Sequence, residues 1–131
     1  MNMNKPPNLE APATREMALE AARKFSKRGI TNPDKLDLGD PEVKKAHELF
    51  DKWRTAEETR VKGDSQAEHR LNLALTMFYV DAGFTDSDYL EDIAEFLDND
   101  LHDAEETPEL AGLIPEIKTQ IERVANLLDE N

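Results

Sequence analysis

No cysteine occurs in this 131-residue chain. Disulfides, thiolate metal sites and a cysteine nucleophile are therefore excluded, and the composition suits a reducing, cytoplasmic setting. Glycine is scarce, with 5 residues, expected at helix ends, in loops or singly. No glycine-rich phosphate loop and no Gly-x-Ser-x-Gly turn can be built from them. Long apolar runs are also missing: the longest uncharged stretch, Leu71 to Val80, spans 10 residues, whereas a membrane helix needs about 20. The first residues contain Pro6, Pro7 and Pro12 and a single lysine, Lys5, without the apolar run of a secretory signal. Residues 1–13 are expected to form a flexible tail and 14–131 a single all-helical domain.

The most informative scarcity is positive charge in the second half. Residues 1–63 carry 13 basic and 11 acidic side chains, and residues 64–131 carry 3 and 18. Between Arg70 and Lys118 there is no Lys or Arg at all, against thirteen Asp and Glu. Net charge is −13, which opposes direct binding to nucleic acid or anionic lipid, since both demand cationic surface. Hydrophobic residues make up 38%, below the usual ~45–50%, so some of the chain is expected to be tail or highly charged surface.

Periodicity predicts helices throughout. From Thr14, Met17, Ala18, Ala21, Ala22 and Phe25 recur on one face, and Gly29 follows Lys27–Arg28 as a left-handed cap. Ile30 to Gly39 reads as a loop, with Leu36 and Leu38 expected to pin it to the core. Asp40-Pro41 combines an N-cap with proline at the first helical position, opening a helix striped by Val43, Ala46, Leu49, Phe50, Trp53 and Ala56 and ended by Gly63. Ser65-Gln66-Ala67-Glu68 matches a capping box. The helix behind it has two apolar rows, Leu71/Leu75/Phe78/Ala82 and Leu73/Met77/Val80, as a central helix would. Thr85 is expected to cap a fourth helix striped by Leu90, Ile93, Ala94, Leu97, Leu101 and Ala104. After Thr107-Pro108, Gly112 and Pro115 divide the last segment into a short turn and a helix from about Pro115, with Ile117, Ile121, Val124 and Leu128 inward. The expected fold is an all-α bundle of four main helices plus a short extra helical turn.

On the fourth helix, Asp88, Glu91, Asp92, Glu95, Asp98, His102, Asp103 and Glu106 fall on the outer side. A solvated face ordinarily mixes signs, because i,i+4 ion pairs each contribute a few tenths of a kcal/mol. Here Asp88/Asp92, Glu91/Glu95 and Asp92/Glu95 are like-charge neighbours. Such a face either serves solubility alone or meets an outside cation, and a basic protein surface is the partner expected. Two internal fates compete with this. The basic second helix (Lys44, Lys45, Lys52, Arg54, Arg60, Lys62) is a candidate to neutralise the fourth within one chain or between subunits. If four helices fail to cover both rows of the third, the exposed row would favour a homodimer.

Metal and catalytic patterns are fragmentary. Asp98, His102 and Glu106 share a helix face and are weak candidates for a divalent cation, although one helix commonly supplies only two ligands. Asp98, Asp100, His102 and Glu109 take positions 1, 3, 5 and 12 of a calcium loop, yet Asp103 replaces the glycine that its sharp turn needs. The residues three before His47, His69 and His102 are Lys44, Gln66 and Asn99, so no Glu-x-x-His di-iron pair exists. Glu95-x-x-Asp98 matches half of the magnesium signature of MazG-type nucleotide pyrophosphohydrolases, but no Glu-x-x-Glu precedes it. His47 reads as a partly buried structural histidine, and His69 is given no role. The expected function is a non-enzymatic, acidic helical protein that binds a basic partner as regulator, inhibitor or adaptor. One alternative is a nucleic-acid mimic that inhibits a DNA- or RNA-binding protein. The other is a divalent-metal-dependent hydrolase of the pyrophosphohydrolase type.

Overall fold

The computed structural model describes residues 13–131; the expected tail, but for Ala13, lies outside them. Five α-helices follow in order: α1 Arg15–Lys27, α2 Pro41–Val61, α3 Ser65–Asp81, α4 Ser87–Glu106 and α5 Ile114–Glu130. Short 3-10 turns at Pro33–Lys35 and Pro108–Leu113 interrupt the connections. Among the described residues there is no strand, and the protein is all-α. Among the described residues there are thus five helices rather than four main ones: each of the five segments marked by periodicity forms a helix, the last running 17 residues from Ile114 where a helix from about Pro115 was expected. Ala13, assigned to the tail by its proline-rich neighbours, is buried in the core.

Two hydrophobic clusters form, and α3 belongs to both. Its row Leu71, Phe78 and Ala82 joins Leu19, Phe25, Val43, Trp53 and Phe84 in the first cluster. Its row Leu73, Met77 and Val80 joins Leu90, Ile93, Leu97, Leu110, Leu113 and Val124 in the second. The first is aromatic: Phe50 packs edge-on against Phe78 at 4.7 Å between centroids, and Tyr79 against Phe84 at 5.3 Å. The second is largely aliphatic. Burying Phe, Leu or Val contributes roughly 1.5–3 kcal/mol per side chain, so a helix that commits residues to both clusters holds the two halves together. Both apolar rows of α3 are covered within the chain, which removes the uncovered row on which the homodimer expectation rested.

Polar contacts reinforce the same helix. The Asp81 carboxylate at its C-terminal end receives Arg15 from α1 and Arg123 from α5. Arg70 near its start reaches Glu116 of α5 at 3.1 Å. Ser26 Oγ, at the end of α1, donates to the Ala82 carbonyl at 2.7 Å.

Caps depart from the expected positions by one residue. Asp64, not Ser65, opens α3, its carboxylate accepting the Ala67 amide at 3.1 Å. Asp86, not Thr85, opens α4. In each case the aspartate places its carboxylate against the amide three residues on, and the neighbouring hydroxyl residue is displaced from the cap. Asp40 caps α2 as expected, and Thr14, where the helical pattern begins, caps α1 by accepting the Met17 amide. Leu36 is buried, whereas Leu38 is 63% exposed and pins nothing. In α1, Leu19 is buried and Met17 is 49% exposed, so the inward face is rotated from the one expected.

Gly29 and Gly83 both adopt positive φ, +94° and +96°. A Cβ at Gly29 would meet open space, but one at Gly83 would lie 2.9 Å from Ser26 Oγ and disturb the bond to Ala82. Gly29→Ala is expected to cost about 1 kcal/mol from backbone strain alone. Gly83→Ala is expected to cost about 2–3 kcal/mol. Urea unfolding of the two variants measures the difference, and equal losses would show that the Ser26 contact is unimportant.

Candidate interaction face on the fourth helix

The start of α4 is fixed to the first half of the chain. Asp86 Oδ2 accepts the Tyr89 amide at 3.2 Å and Asn32 Nδ2 at 3.2 Å, and the Asp86 amide donates to the Thr31 carbonyl at 3.0 Å. Leu90, Ile93, Leu97 and Ala104 are buried beneath the helix. With that stripe inward, the outer side is determined by the 3.6-residue repeat. Asp88, Glu91, Asp92, Glu95, Asp98, His102, Asp103 and Glu106 are all exposed, as the sequence pattern requires.

Among the described residues, one ion pair lies on this face: His102 Nε2 to Glu106 Oε2 at 3.2 Å, charged only when the imidazole is protonated. The arginines of the first half pair with other carboxylates. Arg54 pairs with Asp51 and Glu58, and Arg60 with Glu57, all along α2 itself. Arg28 reaches Glu42. Among the described residues no ion pair joins α2 to α4, so the basic second helix leaves the acidic fourth helix uncompensated. Hydrogen bonding to Arg28 and Arg60, with their charge, holds Glu42 and Glu57 below the usual carboxylate range. Among the described residues no Lys or Arg pairs with a carboxylate of α4.

The metal patterns do not assemble among the described residues. No group of three or more His, Asp and Glu has a geometry that could hold an ion. Of Asp98, His102 and Glu106, only the last two come into ion-pair distance. The calcium-loop pattern is overturned by backbone, since α4 is continuous through Glu106 and leaves no loop at residues 98–106. His47 is half-buried on α2.

Two features of α4 were not anticipated. Phe96 is 56% exposed among the carboxylates; its spacing from Ile93 and Leu97 places it off the inner stripe, a signal present in the sequence. Asp100 is half-buried and borders a small cavity of about 40 Å³ with His69, Asn72, Asp103 and Leu110. That space admits a few waters and no substrate. His69 Nδ1 lies 2.8 Å from the Ser65 carbonyl, and because a carbonyl only accepts, Nδ1 carries the proton.

Burial pushes the Asp100 carboxyl up from its ordinary value, Asp103 adds to this and His69 opposes it. No family model, no curated protein and no solved structure matches this chain.

A carboxyl that binds its proton more tightly folded than unfolded favours the native state at low pH, and that advantage is lost as pH rises through the folded value. Asp100→Asn removes the loss. It is therefore expected to raise Tm at neutral pH, with the gain vanishing near pH ~3, below the ordinary Asp value. Thermal unfolding followed by circular dichroism across that range checks the sign; a Tm lowered at neutral pH would contradict it.

Proposed function

We propose that this is a non-enzymatic, cytoplasmic protein that binds a basic protein surface through the outer side of α4, acting as a regulator, inhibitor or adaptor. The observation that carries the reading is the absence, among the described residues, of any Lys or Arg paired with that face. Like-charge neighbours on it cost stability that interspersed lysines would recover. A partner supplying Lys and Arg would relieve the repulsion, speed encounter and fix register. Phe96 at the edge of the face offers an apolar contact that a purely solvating surface lacks.

A protein surface is favoured over nucleic-acid mimicry by the neighbouring helix. Mimicry needs carboxylates along two strands. The α5 helix beside α4 mixes Glu116, Glu122, Asp129 and Glu130 with Lys118 and Arg123, so the cation-free acidic strip of α4 stands alone. The hydrolase reading finds no support in a carboxylate cluster among the described residues. No described helix is long and apolar enough to cross a membrane.

The test is capture of partners from a lysate of the source organism at low and high salt, with wild type beside a variant carrying Glu91→Gln, Glu95→Gln, Asp98→Gln and Glu106→Gln. A partner retained at low salt is expected to be lost at high salt and lost by the variant, as screening and neutralisation both require. Equal recovery by the two proteins would reduce the acidic face to a solvated surface.

A further inference from the structure

A second surface of opposite character lies on the first half of the chain. Between the start of α1, the end of α2 and the first turns of α3 runs an open cleft of about 750 Å³. Its floor is apolar, with Trp53, Ala56, Val61, Leu71 and Ala74. Its rim carries Arg15, Arg60, Arg70 and Glu57, an excess of positive charge in a chain of net −13. The arginines come from three different helices and their side chains are 40%, 67% and 50% exposed.

Each arginine has an intramolecular partner and retains donors. Arg15 gives Nη2 to Asp81, Arg60 gives Nε and Nη2 to Glu57, and Arg70 gives Nε to Glu116. Among the described residues, Arg15 and Arg70 make no other side-chain hydrogen bond. A guanidinium carries five N–H donors, and exposed pairs of this kind are weak enough to share or exchange.

We propose that this cleft docks an acidic amphipathic segment of a partner protein. A bulky apolar side chain of the segment sits over Trp53 and Leu71, and its flanking carboxylates take the free N–H groups of Arg15, Arg60 and Arg70. A segment fits better than a small ligand for two reasons. The cleft is an open trough, whereas small-molecule sites bury most of the ligand surface. Arginines contributed by three helices are distributed around a rim and suit several carboxylates in register, as in helix-in-groove recognition. A second copy of this chain presents similar chemistry in Phe96 and its neighbouring aspartates, but two chains of net −13 repel. The cleft is independent of the acidic face, and together they would let one small protein hold two partners of opposite charge.

Trp53 is the only tryptophan and lies nearly buried in the floor of the cleft, so its emission responds to a change in the packing above it. The full chain is titrated with an N-acetylated peptide of about 15 residues, Leu and Phe at helical i, i+3, i+4, i+7 spacing and Glu elsewhere. A matched peptide carries Lys in place of Glu. The Glu peptide is expected to shift Trp53 emission saturably. The shift should weaken by at least about tenfold in an Arg60→Glu, Arg70→Glu double variant and disappear in Ala74→Phe, which fills the trough and leaves the arginines. Helical circular dichroism establishes that each variant is folded. The Lys peptide is expected to leave Trp53 unmoved. No shift with the Glu peptide, equal shifts with both peptides, or equal affinity in wild type and both variants would overturn the proposal. A shift that grows with protein concentration alone would assign the cleft to a second copy, and binding seen only after removal of residues 1–12 would assign it to that segment. Either would overturn it too.

Discussion

Two-sided burial of α3 is the constraint on which the rest of the structure depends. One helix supplies Leu71 and Phe78 to an aromatic cluster and Leu73, Met77 and Val80 to an aliphatic one. Among the described residues, α3 is the helix whose buried residues are divided between the two clusters. The electrostatics follow the same plan, since Asp81 at the end of α3 gathers Arg15 and Arg123 from the helices farthest apart in sequence. Charge is segregated by half: the cations are gathered largely before α3, while acids occur on both sides of it and are left almost without cations after it. The apolar helix between them is what keeps a chain with so much self-repulsion compact.

The fold was legible where periodicity is strong and illegible where it is not. The double apolar row of α3 announced a central helix because two stripes on one helix demand two partners. The inner stripe of α4 likewise determined which carboxylates face outward. Cap positions missed by one residue because Asp64-Ser65 and Thr85-Asp86 are each adjacent cap formers, and sequence spacing cannot tell which carboxylate or hydroxyl reaches the third amide. Leu38 misled because loop residues have no period to betray their direction. The rotation of α1, with Leu19 inward and Met17 outward, was hidden by the many alanines that blur its stripe.

For the interaction surfaces, composition located one and concealed the other. The acidic face is contiguous on a single helix and could be read from spacing. Whether α2 would neutralise it depended on packing, and α2 spends its arginines on its own carboxylates. The arginine-rimmed cleft joins residues 15, 60 and 70 from three helices, a juxtaposition that exists only after folding. His69 and Asp100 meet for the same reason, across a cavity bounded by both helices.

The most direct test of α3 as the coupling element uses a probe in one cluster and a perturbation in the other. Leu73 lies in the second cluster and Trp53 in the first. Urea unfolding of Leu73→Ala is followed by Trp53 fluorescence and by helical circular dichroism. Truncating a buried leucine costs about 2–5 kcal/mol. If α3 unites the halves, the Trp53 transition falls to lower urea together with the helical signal and the two curves coincide. A Trp53 midpoint that stays where it was, while part of the helical signal is lost earlier, would show two cores that merely share a helix and would contradict the account.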